Sequence, residues 1–317
     1  MNRLTLAVIC SGLLATPALA DSSFNEVRNV IFTPPPPAQT AEEQQEMAVY
    51  AGNRLPHYEV SSRQFIRDGV NLLKADAQRT LTETADYYPR LEKHLHSNGI
   101  CFTGRWKITA ETPYSGGFRQ GSEALMIARA STALTETERG DPRAFGFAGK
   151  LFPTLNPDQK TATANFFLVD VLAGAQRDHY LDTGMTNKPS TGFRFSVIPL
   201  ALRVGRVFSK ADSDPGYRPV TGIAAFGLKP GEVANAPRFL RLKGADRNQR
   251  NEAVDFREEL DLRRQPSGTL AFTIQVSDKS ADHDSPSWQN IGEVVLTESQ
   301  VSYGCDRRLH FAHPKLK

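Results

Sequence analysis

The chain has 317 residues, 39% of them hydrophobic and 23% charged, with 38 Lys and Arg against 35 Asp and Glu. That is ordinary globular composition, long enough to bury a large core, and all-β barrels of this length are often one domain. The near balance of charge, with no basic patch interleaved with aromatics, excludes nucleic acid as a partner.

Residues 1–20 read as a secretory signal peptide: Arg3 is a short basic start, Leu4 to Leu14 is apolar, and Ala18-Leu19-Ala20 is a small-x-small site before Asp21. A membrane anchor would need a longer apolar run, and no later stretch is apolar enough to span a bilayer. The expectation is a periplasmic or secreted protein with no membrane partner. Without Arg3, 37 basic residues face 35 acidic ones, a net charge of +2. Loss of Cys10 leaves Cys101 and Cys305. In an oxidising compartment two cysteines are commonly paired; two independent buried thiols are the other reading.

Residues 21–57 are polar and broken by Pro34-Pro35-Pro36-Pro37, which reads as an extended arm with a stiff polyproline spacer. Residues 58–95 read as a helical segment. Phe65, Val70, Leu72, Leu73, Ala77 and Leu81 fall near one face, and Tyr87-Tyr88-Pro89 closes it, since the residue before proline is pushed out of the α region.

After Gly99 the period changes to two. Phe102, Gly104, Trp106 and Ile108 alternate with Thr103, Arg105, Lys107 and Thr109, predicting a half-buried strand. Leu125 to Ala128 is a second strand, and Ala144 to Phe152 a third, loosened by Gly146 and Gly149. Asn165 to Val171 is a short strand or a turn into a helix. Val254, Phe256, Leu260 and Leu262 largely alternate with charged residues, Gln265-Pro266-Ser267-Gly268 turns, and Leu270, Phe272, Ile274 and Val276 alternate again, predicting an antiparallel hairpin. Ile291 to Leu296 is a further strand. Early helices followed by dominant strands predict an α+β, mainly β architecture: a closed antiparallel β-barrel over 96–317 with an N-terminal helical arm.

Most histidines have bland readings. His94 and His96 have no third ligand nearby, His310 and His313 sit in a polar tail, and His283 lies in a loop, so no metal site is expected. No Gly-x-Ser-x-Gly elbow and no phosphate loop is present.

One set of motifs remains. His96-Ser97-Asn98-Gly99 leads into a strand ending at Ile108-Thr109, Arg129-Ala130-Ser131 follows, and then Asp141-Pro142-Arg143-Ala144-Phe145 and Phe166-Phe167-Leu168-Val169-Asp170. In type and order these resemble the haem-dependent catalase family over roughly residues 90–313. The resemblance implies a catalase-type barrel and a haem cofactor. It makes His96 the distal base that takes a proton from one peroxide oxygen and returns it to the other. Ser131 would set its tautomer, Arg129 would reach a haem propionate, and Phe166 and Phe167 would keep the pocket dry. Lys93 stands where the family has arginine, keeping the charge without the bidentate fork. The family's distal asparagine falls near Thr161, with Asn165 as a substitute. The family's axial tyrosinate sits in an Arg-x-x-x-Tyr helix, and no tyrosine follows Tyr303 here. The implied function is an exported haem protein acting on hydrogen peroxide or organic peroxides, with weak catalatic activity. The alternative is a non-catalytic barrel serving as a binding or structural module. A homo-oligomer or a partner subunit completing the site stays open. The catalytic candidates are thus His96, Ser131 and Asn165, the cofactor-binding ones Lys93, Arg129, Phe166 and Phe167, and the expected disulfide Cys101–Cys305.

Overall fold

The computed structural model describes residues 21–52, 55, 83, 85–93, 96–115, 118–132, 144–171, 185–186, 239–244, 255–277 and 287–311. The expected signal peptide, most of the helical segment over 58–95, His94, His283, His313 and Asp141 to Arg143 lie outside them. Among the described residues, no helix is long and apolar enough to cross a membrane.

Seven strands make one curled antiparallel sheet: β2 (Gly99–Ile108), β3 (Glu123–Thr132), β4 (Ala144–Phe152), β6 (Ala164–Val171), β8 (Phe239–Gly244), β9 (Leu270–Ser277) and β10 (Gln289–Gln300). Their order across the sheet is β8-β9-β10-β2-β3-β4-β6. The outer strands, β6 and β8, are linked through β7 (Met185–Thr186), which contributes one residue pair to the first and two to the second. The sequence predicts a fully closed barrel. The long strands establish a curled half-barrel, and the link between its edges is this two-residue strand. A separate pair joins β1 (Asp21–Ser22) to β5 (Thr161–Ala162).

The alternation predicted for β2 holds, with Arg105 and Lys107 exposed, but over Gly99 to Thr103 its outer face is covered. Ile100, Phe102, Trp106 and Ile108 enter the inner core with Met126, Phe147, Phe166 and Phe272. Cys101 faces the other way and joins Leu125, Ile127 and Phe152 in a second core. That second core exists because helices cover the outer face.

Over residues 21–52 the chain is correspondingly not an extended arm. Ser23 and Glu26 form a reciprocal capping box that opens α1 (Phe24–Phe32), and Thr40 caps α2 (Ala41–Ala51). Phe24, Val27 and Ile31 of α1 lie in the outer core, each such burial contributing about 1.5–3 kcal/mol. Arg28 adds two hydrogen bonds to the Glu298 carboxylate of β10, at 2.9 and 2.7 Å.

Of the hairpin predicted from Val254 only the second strand, β9, is present, and its partners are β8 and β10. Phe256–Glu259 form instead a short helix, α3, and Leu262–Arg264 a 3₁₀ turn. Asp255 and Asp261 cap these two turns through their side chains, an option that competes with strand pairing. Phe256 and Leu260 are four residues apart, which also suits a helical face.

After β10 the chain turns into α4 (Tyr303–Arg307), which returns over β2. Gly304 meets the Val30 carbonyl of α1 so closely that a side chain has no room. Beside it, Cys305 is bonded to Cys101 with Cα atoms 5.8 Å apart across a separation of 204 residues. The sequence places this pairing between the first and last strands; it runs instead from the first strand to the helix after the last. Closing so long a loop stabilises the fold by about 2–4 kcal/mol in the chain-entropy model. Cys305→Ser should therefore lower the thermal midpoint by several degrees without reductant, and the difference should vanish once the parent chain is reduced. Alkylation and mass spectrometry of non-reduced parent protein should find neither thiol free.

Candidate functional site

Strand parity puts every second residue of β2, β3 and β4 on the outer face. Across it the register aligns Gly99 with Ser131 and Ser131 with Gly146, then Cys101 with Arg129 and Arg129 with Ala148, then Ile127 with Lys150 and Lys150 with Asn165. Ser131, Arg129 and Asn165 thus share the outer face of the sheet, while Phe166 lies on the inner one.

His96 lies three residues before β2 with φ at 57°; it is the one non-glycine residue with positive φ among those described. Histidine tolerates this region better than most residues, but at some cost in strain. The conformation turns the ring back onto the sheet, over Gly146, where an added Cβ would lie 2.6 Å from Cε1. Nδ1 is 3.0 Å from Ser131 Oγ. Burial, helped by the nearby Arg129 guanidinium and opposed by a hydrogen bond to the Ser131 backbone, brings the imidazole pKa down to about 4. The Ser131 hydroxyl can donate or accept, so the direction of its hydrogen bond with Nδ1 goes with the ring tautomer. At neutral pH His96 is an uncharged base.

Arg129 is buried and rests on Gly99, whose Cβ would be 2.5 Å from the guanidinium carbon. Its Nη2 donates to Asp306 Oδ1 of α4 at 2.6 Å and to the Ser97 carbonyl at 3.2 Å. Lys93 donates to the Cys305 carbonyl at 3.1 Å. Both cations expected to meet acidic groups of a cofactor therefore act on the chain itself.

Asn165 is not beside His96. Its Oδ1 accepts from Lys150 Nζ at 2.8 Å, and Lys150 is four residues along β4 from Gly146, about 13 Å at ~3.3 Å per residue. Lys150 is fully buried and pairs with Asp86 Oδ1 at 2.5 Å. Burial pushes the Lys150 ammonium down, against the pull of Asp86. Burial alone would raise Asp86, but Lys150 and hydrogen bonds from Thr163 and Ser22 outweigh it and hold the carboxyl below its usual range. Phe166 sits on the inner face, 5.4 Å from the Trp106 ring centroid, with the sheet between it and His96. It dries the inner core, not the His96 site. Phe167 stands opposite Ala148 in the register; its side chain lies outside the described residues.

Sequence reasoning misses Asp86, Asp306, Gly146 and His310. The sequence puts His310 in a polar tail, yet it is buried, its Nδ1 donates to the Ala85 carbonyl at 3.0 Å, and its ring meets Tyr88 edge-on at 5.4 Å. Burial first, with Lys150 and Lys93 adding, lowers its pKa to about 4. The tyrosine nearest the chain end in the sequence, Tyr303, donates to Glu43 at 2.6 Å. Burial and that carboxylate keep its phenol protonated well above the ordinary range, unlike a tyrosinate ligand. Among the described residues there is no cluster of three or more metal-ligating side chains.

No protein-family model matches the chain, and no curated protein does. Solved structures it resembles include a fungal catalase, with 14% identity over 78% of this chain and 56% of that one at a TM-score of 0.30. Catalase A from Saccharomyces cerevisiae shares 12% identity over 78% and 59% at 0.33, and a bacterial catalase 11% over 86% and 60% at 0.33. The chain spans less than two thirds of the length of each, and the likeness is distant.

The half-buried His96 and the buried His310 set an acid limit. An unfolded histidine protonates near 6.5, whereas His96 and His310 do so near 4 in the fold. Between these values the unfolded state binds more protons, so stability present above about 6.5 is lost as pH falls toward 4, on the order of 2–3 kcal/mol per imidazole. The thermal midpoint should fall across that window, and His310→Gln should flatten the fall.

Proposed function

We propose that the chain is a catalase-type β-barrel, closed in the whole protein, that serves as an exported binding module. In this reading His96 offers a neutral Nε2 to a small protic ligand of the peroxide class. What carries the reading is the hydrogen bond between Nδ1 and Ser131 Oγ, together with the depressed pKa, which keeps the ring neutral at pH 7; in this reading Nδ1 donates to the hydroxyl and Nε2 keeps the lone pair. Nε2 accepts the O–H of hydrogen peroxide or an organic hydroperoxide; Ser131 fixes the ring; Gly146 leaves it room. The pattern of residues 1–20 supports export to the periplasm or beyond, and assembly into a homo-oligomer or with a partner subunit is compatible with the reading.

Haem is the cofactor the family resemblance implies, and the residues present do not fit it. Arg129 is held by Asp306 and Ser97, Lys93 by the Cys305 carbonyl, and Asn165 accepts from Lys150. Tyr303 is kept protonated by Glu43. The competing reading, a haem enzyme of catalase or peroxidase type, draws on the same His96–Ser131 pair.

At pH 7, hydrogen peroxide should shift one histidine Cε1–H resonance saturably, and His96→Gln should abolish that shift with a near-parental thermal midpoint. Mixing the protein with haem should give no sharp Soret band saturating at one equivalent. A stoichiometric band with oxygen evolution would replace the binding module by the haem enzyme; absence of any peroxide-dependent shift would leave His96 a structural residue.

A further inference from the structure

We propose that Asp306 is a built-in occupant of a carboxylate site at Arg129, so that the helix after the last strand supplies from within the acidic group that a ligand would otherwise bring. The inference rests on the reading of this face as a binding site without haem, and extends it to the class of ligand that Arg129 takes.

Three observations support it. Arg129 is 4% exposed and yet its Nε has no hydrogen-bond partner among the described residues. An unmade hydrogen bond at so buried a donor is expensive. The ion pair with Asp306 is one-pronged: Nη2 makes the 2.6 Å contact and also serves the Ser97 carbonyl at 3.2 Å. The Nε–Nη2 edge of a guanidinium takes two carboxylate oxygens side by side, and this edge holds one. The second oxygen of Asp306, Oδ2, is engaged elsewhere: it accepts from Tyr50 OH at 3.0 Å.

The placement explains why the occupant is held there. Gly99 leaves the guanidinium space against the sheet, and Asp306 follows Cys305, which is bonded to Cys101 opposite Arg129 in the register. Tyr303 to Glu43 and Arg307 to Glu46, at 2.6 and 2.8 Å, fasten α4 to α2 on either side of Asp306. A carboxylate fixed within contact distance outcompetes a dissolved one through its high effective concentration. The site is therefore shut in the parent chain and opens to small carboxylates when Asp306 is removed.

Chemical rescue tests this. Asp306→Ala leaves Arg129 buried and unpaired, so the thermal midpoint should fall by about 10 °C. Acetate and propionate at tens of millimolar should restore at least about half of that fall; chloride at equal ionic strength should not. The parent chain, with its site filled, should not respond, and Asp306→Ala with Arg129→Met should lose the rescue. Should Asp306→Ala fail to fold, Asp306→Ser refolded with and without acetate gives the same comparison. Equal stabilisation of the parent chain by acetate, or a variant indifferent to carboxylates, would overturn the inference. Neither result bears on peroxide binding at His96, which the histidine resonance reads separately.

Discussion

Two cations buried on the outer face of the sheet, Arg129 and Lys150, govern how the flanking segments lie. A buried charge is tolerable only with a partner close by and its hydrogen bonds filled. Arg129 meets Asp306 after the last strand, and Lys150 meets Asp86 ahead of the first, so segments 177 and 64 residues away in sequence are drawn onto one sheet face. The rest of the covering follows. Cys305 reaches Cys101, Lys93 reaches the Cys305 carbonyl, His310 reaches the Ala85 carbonyl, and Tyr87 bridges Leu309.

The same arrangement separates two environments that the sequence runs together. The inner face carries the aromatic core of Trp106, Phe147, Phe166 and Phe272, tilted against one another at 5.3 to 6.4 Å with Phe118. The outer face carries imidazole, guanidinium, ammonium and their partners under two helices. On the outer face, glycine and alanine at 99, 146 and 148 keep the sheet surface low enough for long polar side chains to lie across it. His96 takes a strained backbone conformation to enter that layer. Its neighbours make it a neutral base, which is the property a peroxide-class ligand would use.

Strand positions are legible because they rest on local pattern. Ala144–Phe152 matches its predicted run to the residue, and β2, β3, β6, β9 and β10 each enclose or overlap the run of residues that announces them. The pairing of His96 with Ser131, implied by the family resemblance, is present at 3.0 Å. Local pattern also misleads. Alternation around Phe256 and Leu260 gives way to aspartate-capped turns, and the proline tract conceals the helices on either side of it.

By itself the sequence determined which residues form six of the seven long strands, with β8 unannounced, that two cysteines are left to pair or stay free, and that a histidine stands at the entrance of the first long strand. These follow from period, composition and order along the chain. Only the tertiary structure decided which face of the sheet each candidate occupies, and which carboxylate neutralises each buried cation. Asp306 next to a cysteine and Asp86 before a tyrosine carry no local mark of their roles. A counter-ion is selected by proximity in the fold, and separations of 177 and 64 residues leave no period in the sequence from which to read it.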